Sequence, residues 1–225
     1  MRILKAVGKI AAVLFLICIC VCGYFAYQGY QMYHKAEAAQ SLEAKVDEIR
    51  SQPGYTSIKD MPLTYLEAVV AVEDHRFYDH FGIDIIAIGR AVVNNVKALS
   101  FVEGGSTITQ QLAKNLYFTQ EKEMTRKAAE VFAAFDLERH YTKDEILELY
   151  VNTIYFGSGY YGVGEASEGY FGKEPRYLTD DECTMLAGIP NAPSVYDPRV
   201  NPELAKERQQ QVVNQMIENG FVPAQ

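Results

Sequence analysis

The stretch Ala71-Val72-Glu73-Asp74-His75-Arg76-Phe77-Tyr78-Asp79-His80-Phe81-Gly82-Ile83-Asp84 decides how this chain is read. It closes one helix and opens another. Upstream, Pro62 starts a helix with Asp60 placed to cap it, and Leu66, Val69 and Val70 form its apolar stripe. Glu73 falls on that stripe, near the C-terminal end. A carboxylate there is partly desolvated and faces the negative end of the helix dipole, and both effects favour the protonated form. Such a group suits general acid–base work. A surface glutamate at a frayed helix end is the plain alternative. Downstream, Asp84 reads as the N-cap of a helix that carries Ile85, Ile88, Val92 and Val96 and runs to about Leu99.

Working outward, the next segment is Gly104-Gly105-Ser106-Thr107-Ile108-Thr109-Gln110-Gln111-Leu112-Ala113-Lys114-Asn115. Thr107-x-x-Gln110 is a capping-box pattern. In the helix it opens, Thr107, Gln110, Gln111 and Lys114 share one side, and Ile108, Leu112 and Leu116 the other. The polar side suits a sugar and a phosphate; an ordinary solvated face has the same composition. Lys122 to about His140 reads as a longer helix with Ala128, Val131, Phe132 and Phe135 toward the core. Arg126, Lys127 and Glu130 share another side, as a surface ion-pair cluster or as a carboxylate held beside fixed cations.

Thr142-x-x-Glu145 is a second capping box, and Thr179-x-x-Glu182 opens another helix. Glycines 157, 159, 162 and 164, with Tyr155, Tyr160 and Tyr161, read as a turn region, and a last helix spans about Pro202 to Asn219. Strand-like alternation is scarce, so the fold class is mostly α.

The formal net charge of −8 gives no basic face for nucleic acid. Cys18, Cys20 and Cys22 lie inside one apolar run, with Cys183 apart, which is neither a disulfide framework nor a zinc spacing. That run, Ile10 to Tyr27, carries no charge and approaches the ~20 residues a helix needs to cross a bilayer. Arg2, Lys5 and Lys9 precede it and Tyr24, Phe25, Tyr27 and Tyr30 form an aromatic belt. A retained anchor is favoured over a cleaved signal peptide, with the N-terminus cytoplasmic and the remainder outside, as in a single-pass type II membrane protein. The expected organisation is a basic tip and anchor over 1–33, a stalk or first outer helix over 34–54, and a catalytic domain over 55–225.

In this order the segments resemble the peptidoglycan glycosyltransferases of glycosyltransferase family 51. The resemblance runs from about Met61 to Met216 and rests on five motifs. The first is Glu73-Asp74-x-x-Phe77-x-x-His80-x-Gly82-Ile83-Asp84, and the second is Gly105-Ser106-Thr107-Ile108-Thr109-Gln110-Gln111-x-x-Lys114-Asn115. Arg126-Lys127-x-x-Glu130 is the third. The fourth runs from Lys143 through Glu145, Glu148, Tyr150 and Asn152 to Gly157, and the weaker fifth is Arg208 with Val212, Val213 and Met216. Val151 stands where the family often has leucine, and Lys122 where it often has arginine, which keeps the charge but loses the bidentate fork.

The resemblance implies a lysozyme-like helical domain with a small flexible lobe. It implies joining of lipid-linked disaccharide units into glycan strands, with inversion at the anomeric carbon. It assigns the base to Glu73 and puts Glu130 on the diphosphate side with Lys114, Lys122, Arg126 and Lys127. Magnesium is expected to bridge Glu130 and the diphosphate. Asp74, Gly105, Ser106, Thr107, Gln110 and Gln111 are expected to contact sugar or phosphate, and Glu148 and Asn152 either to be structural or to line the groove. The expected partners are lipid II, the lipid-linked polymer, the bilayer and other cell-wall synthesis proteins. Residues from Phe81 to Leu99 are expected to dip into the interface. The chain has neither Ser-x-x-Lys nor Lys-Thr-Gly, so no penicillin-reactive site is expected in it. It reads either as a stand-alone polymerase or as part of a longer protein. A lysozyme-like lytic muramidase and a catalytically silent membrane-anchored scaffold remain as alternatives.

Overall fold

The computed structural model describes residues 2–100, 104–118 and 123–222, without the side chains of 2–6 and 123. The described residues form ten α-helices and no strand: α1 (Arg2–Ala39), α2 (Leu42–Arg50), α3 (Leu63–Glu73), α4 (Ile85–Ala98), α5 (Ile108–Tyr117), α6 (Glu123–His140), α7 (Lys143–Val151), α8 (Gly162–Phe171), α9 (Asp180–Gly188) and α10 (Pro202–Glu218). The mostly α expectation holds.

α1 is long and apolar enough to cross a membrane, but it does not break at residue 33. It runs on as one helix to Ala39 and lies along α6. A Cβ on Gly29 would stand 2.5 Å from the Cβ of Ala128, so only glycine allows this approach. Below it, Tyr33 donates to Asp136 at 2.5 Å and Tyr30 meets Phe132 edge to face. The stalk is likewise part of the domain: α2, capped by Ser41, buries Leu42, Val46 and Ile49. Their spacing puts one apolar stripe on a helix otherwise rich in charge.

α3 begins one residue later than expected, because Pro62 is its N-cap residue. Asp60 closes a 3-10 turn over Ile58–Asp60 and does not cap α3. Tyr65, Ala68, Val69, Val70 and Ala71 are buried, while Leu66 packs at the edge of the core. Asp84 caps α4 as expected, accepting from Ile86 N and Ala87 N. The expected capping boxes form at Thr107 and Thr142, and the helix opened at Thr179 has a third.

Two further readings need correcting. The core face of α6 is Ala129, Ala133 and Leu137, with Ala128, Val131, Phe132 and Phe135 only half-buried. The aromatic rings follow α1 and the loop before α4 instead, and the small residues let α6 approach α5 closely. The tyrosine-glycine region also contains the start of α8 at Gly162. Packing favours that helix despite glycine-rich local propensity, since a Cβ at Gly164 would collide with the Gly54 carbonyl.

The core gathers α3, α5, α7 and α9 around Tyr65, Leu112, Leu149 and Leu186, with α10 laid across α3 and α9. α4 stands apart as a small lobe: Ala91 is its one buried residue. Ile85, Ile86, Val92, Val93 and Val96 face outward.

Candidate active site

Glu73 is the last residue of α3, half-buried at one wall of a cleft of about 740 Å³. The opposite wall comes from α10, with Arg208, Gln211 and Gln215. Burial pushes the Glu73 carboxyl above the usual carboxylate range. A hydrogen bond from Gln111 Nε2 (2.8 Å to Oε2) and the charges of Arg208 and Lys114 pull it back, and the Asp74 carboxylate adds to the rise. The bond from Gln111 is itself aimed, because the buried Tyr150 hydroxyl donates to Gln111 Oε1 at 3.2 Å. The structure therefore gathers Glu73, Gln111, Lys114 and Arg208. Sequence reasoning noted Arg208 in the weak fifth motif but did not place it in the site; α10 follows α3 by more than a hundred residues, and only packing joins them.

A second group forms on α6. Glu130 is fully buried, with Arg126 Nε 3.1 Å from Oε1 and Lys127 Nζ 2.5 Å from Oε2. Lys127 Nζ also donates to Ser106 Oγ at 2.9 Å, which ties the glycine-rich segment to α6. The arrangement is a carboxylate holding two cations in place while part of each faces solvent. Lys122, expected beside them, lies outside the described residues.

Several residues expected to touch substrate are engaged with the protein. Asp74 accepts from Ile108 N at 3.1 Å and from His80 Nε2 at 2.9 Å, so it fastens the start of α5 to the loop after Glu73. Thr107 and Gln110 complete the capping box, and Thr107 Oγ1 also donates to Gly82 O at 2.6 Å. Gly105 lets its strand of backbone pass α4, since a Cβ there would come within 3.1 Å of Ile88 Cα. Glu148 and Asn152 are structural. Glu148 accepts from Ile58 N at 2.6 Å and from the Tyr55 hydroxyl, while Asn152 brackets Thr56 through its N and O at 2.8 and 2.9 Å.

A helical domain with one desolvated carboxyl on a polar cleft, and a separate cluster of fixed cations, can take a proton in one place and hold an anion in another. The profile of the transglycosylase family matches residues 39–217, and the chain belongs to that family. It is 49% identical over 168 residues to penicillin-binding protein 1F of Bacillus subtilis, a match covering 75% of this chain and 24% of that protein. It is 49% identical over 171 residues to penicillin-binding protein 1A of Neisseria meningitidis, covering 76% and 21%. The chain thus spans about a quarter or less of these relatives. The crystal structure of penicillin-binding protein 1A from Haemophilus influenzae aligns with 75% of this chain and 15% of its own, at 23% identity and a TM-score of 0.43.

Proposed function

We propose that the chain is a membrane-anchored peptidoglycan glycosyltransferase that polymerises lipid II. The unequal pair of glutamates carries the reading. Glu73 has an acceptor carboxyl of raised proton affinity on an open cleft, and Glu130 is buried to hold Arg126 and Lys127.

In this reaction the growing glycan is the donor, its anomeric carbon bonded to a polyprenyl diphosphate. The 4-hydroxyl oxygen of lipid II attacks that carbon and Glu73 takes its proton. The carbon–oxygen bond to the diphosphate breaks, and the diphosphate leaves with the electron pair. Inversion follows from attack opposite the leaving group, the logic that places two separated groups about the anomeric centre in inverting glycosidases. Arg126, Lys127 and Lys114 offset the charge that develops on the diphosphate. Gln111 orients the carboxylate for the incoming hydroxyl. Magnesium does not fit as a ligand of Glu130 while both its oxygens hold cations in a fully buried position, and no step here depends on it.

The anchor and the exposed apolar face of α4 support work at a membrane surface, where both polyprenyl substrates reside. The basic residues Arg2, Lys5 and Lys9 favour a cytoplasmic N-terminus and an extracytoplasmic domain.

The test is incubation of purified protein with lipid II and magnesium, with products separated on a gel. Long glycan from the wild type and none from Glu73→Gln is the expected result. Shortening of preformed glycan without polymer from lipid II would identify a hydrolase instead, and no reaction in either assay would leave a scaffold.

A further inference from the structure

Several motif residues take no part in that chemistry. Gly82 belongs to the first motif, Thr109 to the second and Lys143 to the fourth, and all three converge on one atom. Glu138 Oε1, on the last turns of α6, accepts from Gly82 N at 2.9 Å, Thr109 Oγ1 at 2.7 Å and Lys143 Nζ at 2.7 Å. The Glu138 side chain is 4% exposed.

We infer that Glu138 is a positioning residue that latches the loop between Glu73 and the small lobe onto α7 and onto α5, the helix that carries Gln111. The donors come from three places: the loop, the first turn of α5 and the start of α7. Gly82 is held on both sides, by Glu138 at its N–H and by Thr107 at its carbonyl. Its φ of +76° and the Phe135 ring, 3.2 Å from where a Cβ would lie, make glycine the residue that fits. Lys143 serves the same loop twice, since its ammonium also lies 4.4 Å from the centre of the buried Phe77 ring. Asp74 closes the frame through Ile108 N. The loop that leaves Glu73 is thereby referred to the same helix that sends Gln111 to Glu73. A carboxylate taking three donors in a buried position is strong only when all are present, because each unmatched donor then carries its desolvation cost. Neither Glu138 nor its three donors line the cleft beside Glu73; Glu138 acts by fixing the frame.

The inference rests on Glu73 as the base, so its test has a readout besides polymerisation. In the full-length protein in lipid vesicles, Glu138→Met is expected to speed amide hydrogen exchange across residues 79–100 by about tenfold or more while α8 to α10 keep wild-type protection. The kcat for polymer formation falls about tenfold or more with KM within about twofold, as for a misplaced catalytic group. Thr109→Val, which removes one donor without changing charge, moves both readouts the same way, and Thr109→Ser restores them. It also serves if Glu138→Met does not fold. Wild-type exchange and kcat in both Glu138→Met and Thr109→Val would overturn the latch. So would uniform loss of protection in Glu138→Met with Thr109→Val unchanged, which is the signature of general stability alone. If the wild type makes no polymer, the proposed function fails, and the exchange comparison still decides the latch.

Discussion

Replacing Gln111 with methionine separates a residue that tunes the base from one that grips substrate. Methionine keeps length and volume and removes two bonds: Gln111 Nε2 to Glu73 Oε2 at 2.8 Å, and the Tyr150 hydroxyl to Gln111 Oε1 at 3.2 Å. The first favours the ionised carboxyl, and a hydrogen bond to a charged group is worth about 1.5–3 kcal/mol. Taking the lower figure, and about 1.4 kcal/mol per factor of ten, the ionised fraction of Glu73 on the acid side of its titration drops roughly tenfold. Burial, already the largest cause of the raised proton affinity, is then opposed by the charges of Arg208 and Lys114. The buried Tyr150 hydroxyl loses its acceptor, which costs a further ~1–3 kcal/mol of stability. The assay is kcat/KM for lipid II polymerisation across pH, with thermal unfolding alongside. A base must be ionised to work, so the acid limb moves to higher pH and activity recovers toward wild type on the alkaline side. An equal loss at every pH, with the limb in place, would show that Gln111 acts on substrate; a limb displaced to lower pH would refute the electrostatic reasoning.

Three other perturbations follow from the same geometry. Because the folded state holds the Glu73 proton more tightly than the unfolded chain does, that group's stabilising contribution is present in acid and is lost as pH rises through the raised value. Glu73→Gln should therefore unfold at a higher temperature than wild type at about pH 8, with the gap closing toward about pH 4; a less stable variant at the higher pH would contradict it. The sequence has no tryptophan, so Val93→Trp on the outward face of α4 reports its surroundings alone. In vesicles its emission should shift to the blue and be quenched by brominated lipids, and water-like emission would remove α4 from the membrane. Gly29→Leu should force α1 from α6, break the Tyr33–Asp136 bond and cost about 1–3 kcal/mol; an unchanged melting temperature would mean the two helices do not pack in solution.

Local chemistry explains which features could be read directly. A capping box needs a serine or threonine and, three residues on, a glutamine or glutamate, and those at Thr107 and Thr142 formed where the spacing placed them. Asp84 capped α4 for the same reason. The place of Glu73 on an apolar stripe at a helix end was enough to give the direction of its proton affinity. The i+3 and i+4 spacings of Arg126 and Lys127 to Glu130 were enough to pair them.

Elsewhere the tertiary structure decided. Helical periodicity gives a stripe but not the neighbour it meets, so α6 turned its alanines inward and left its rings to α1 and the loop before α4. The same limit hid Glu130's complete burial and the course of α1 past residue 33. Polar side chains are the least legible, because a threonine, glutamine or aspartate has equal capacity to bind substrate or protein. Asp74, Thr107 and Gln110 bind protein, and Gln111 reaches the base. Sequence alone determined most of the helices, the caps at Asp84, Thr107 and Thr142, and the two glutamates with their unequal settings. Which distant partners those groups meet, Arg208 across the cleft and Glu138 behind the loop, depends on long-range packing between helices that no local pattern encodes.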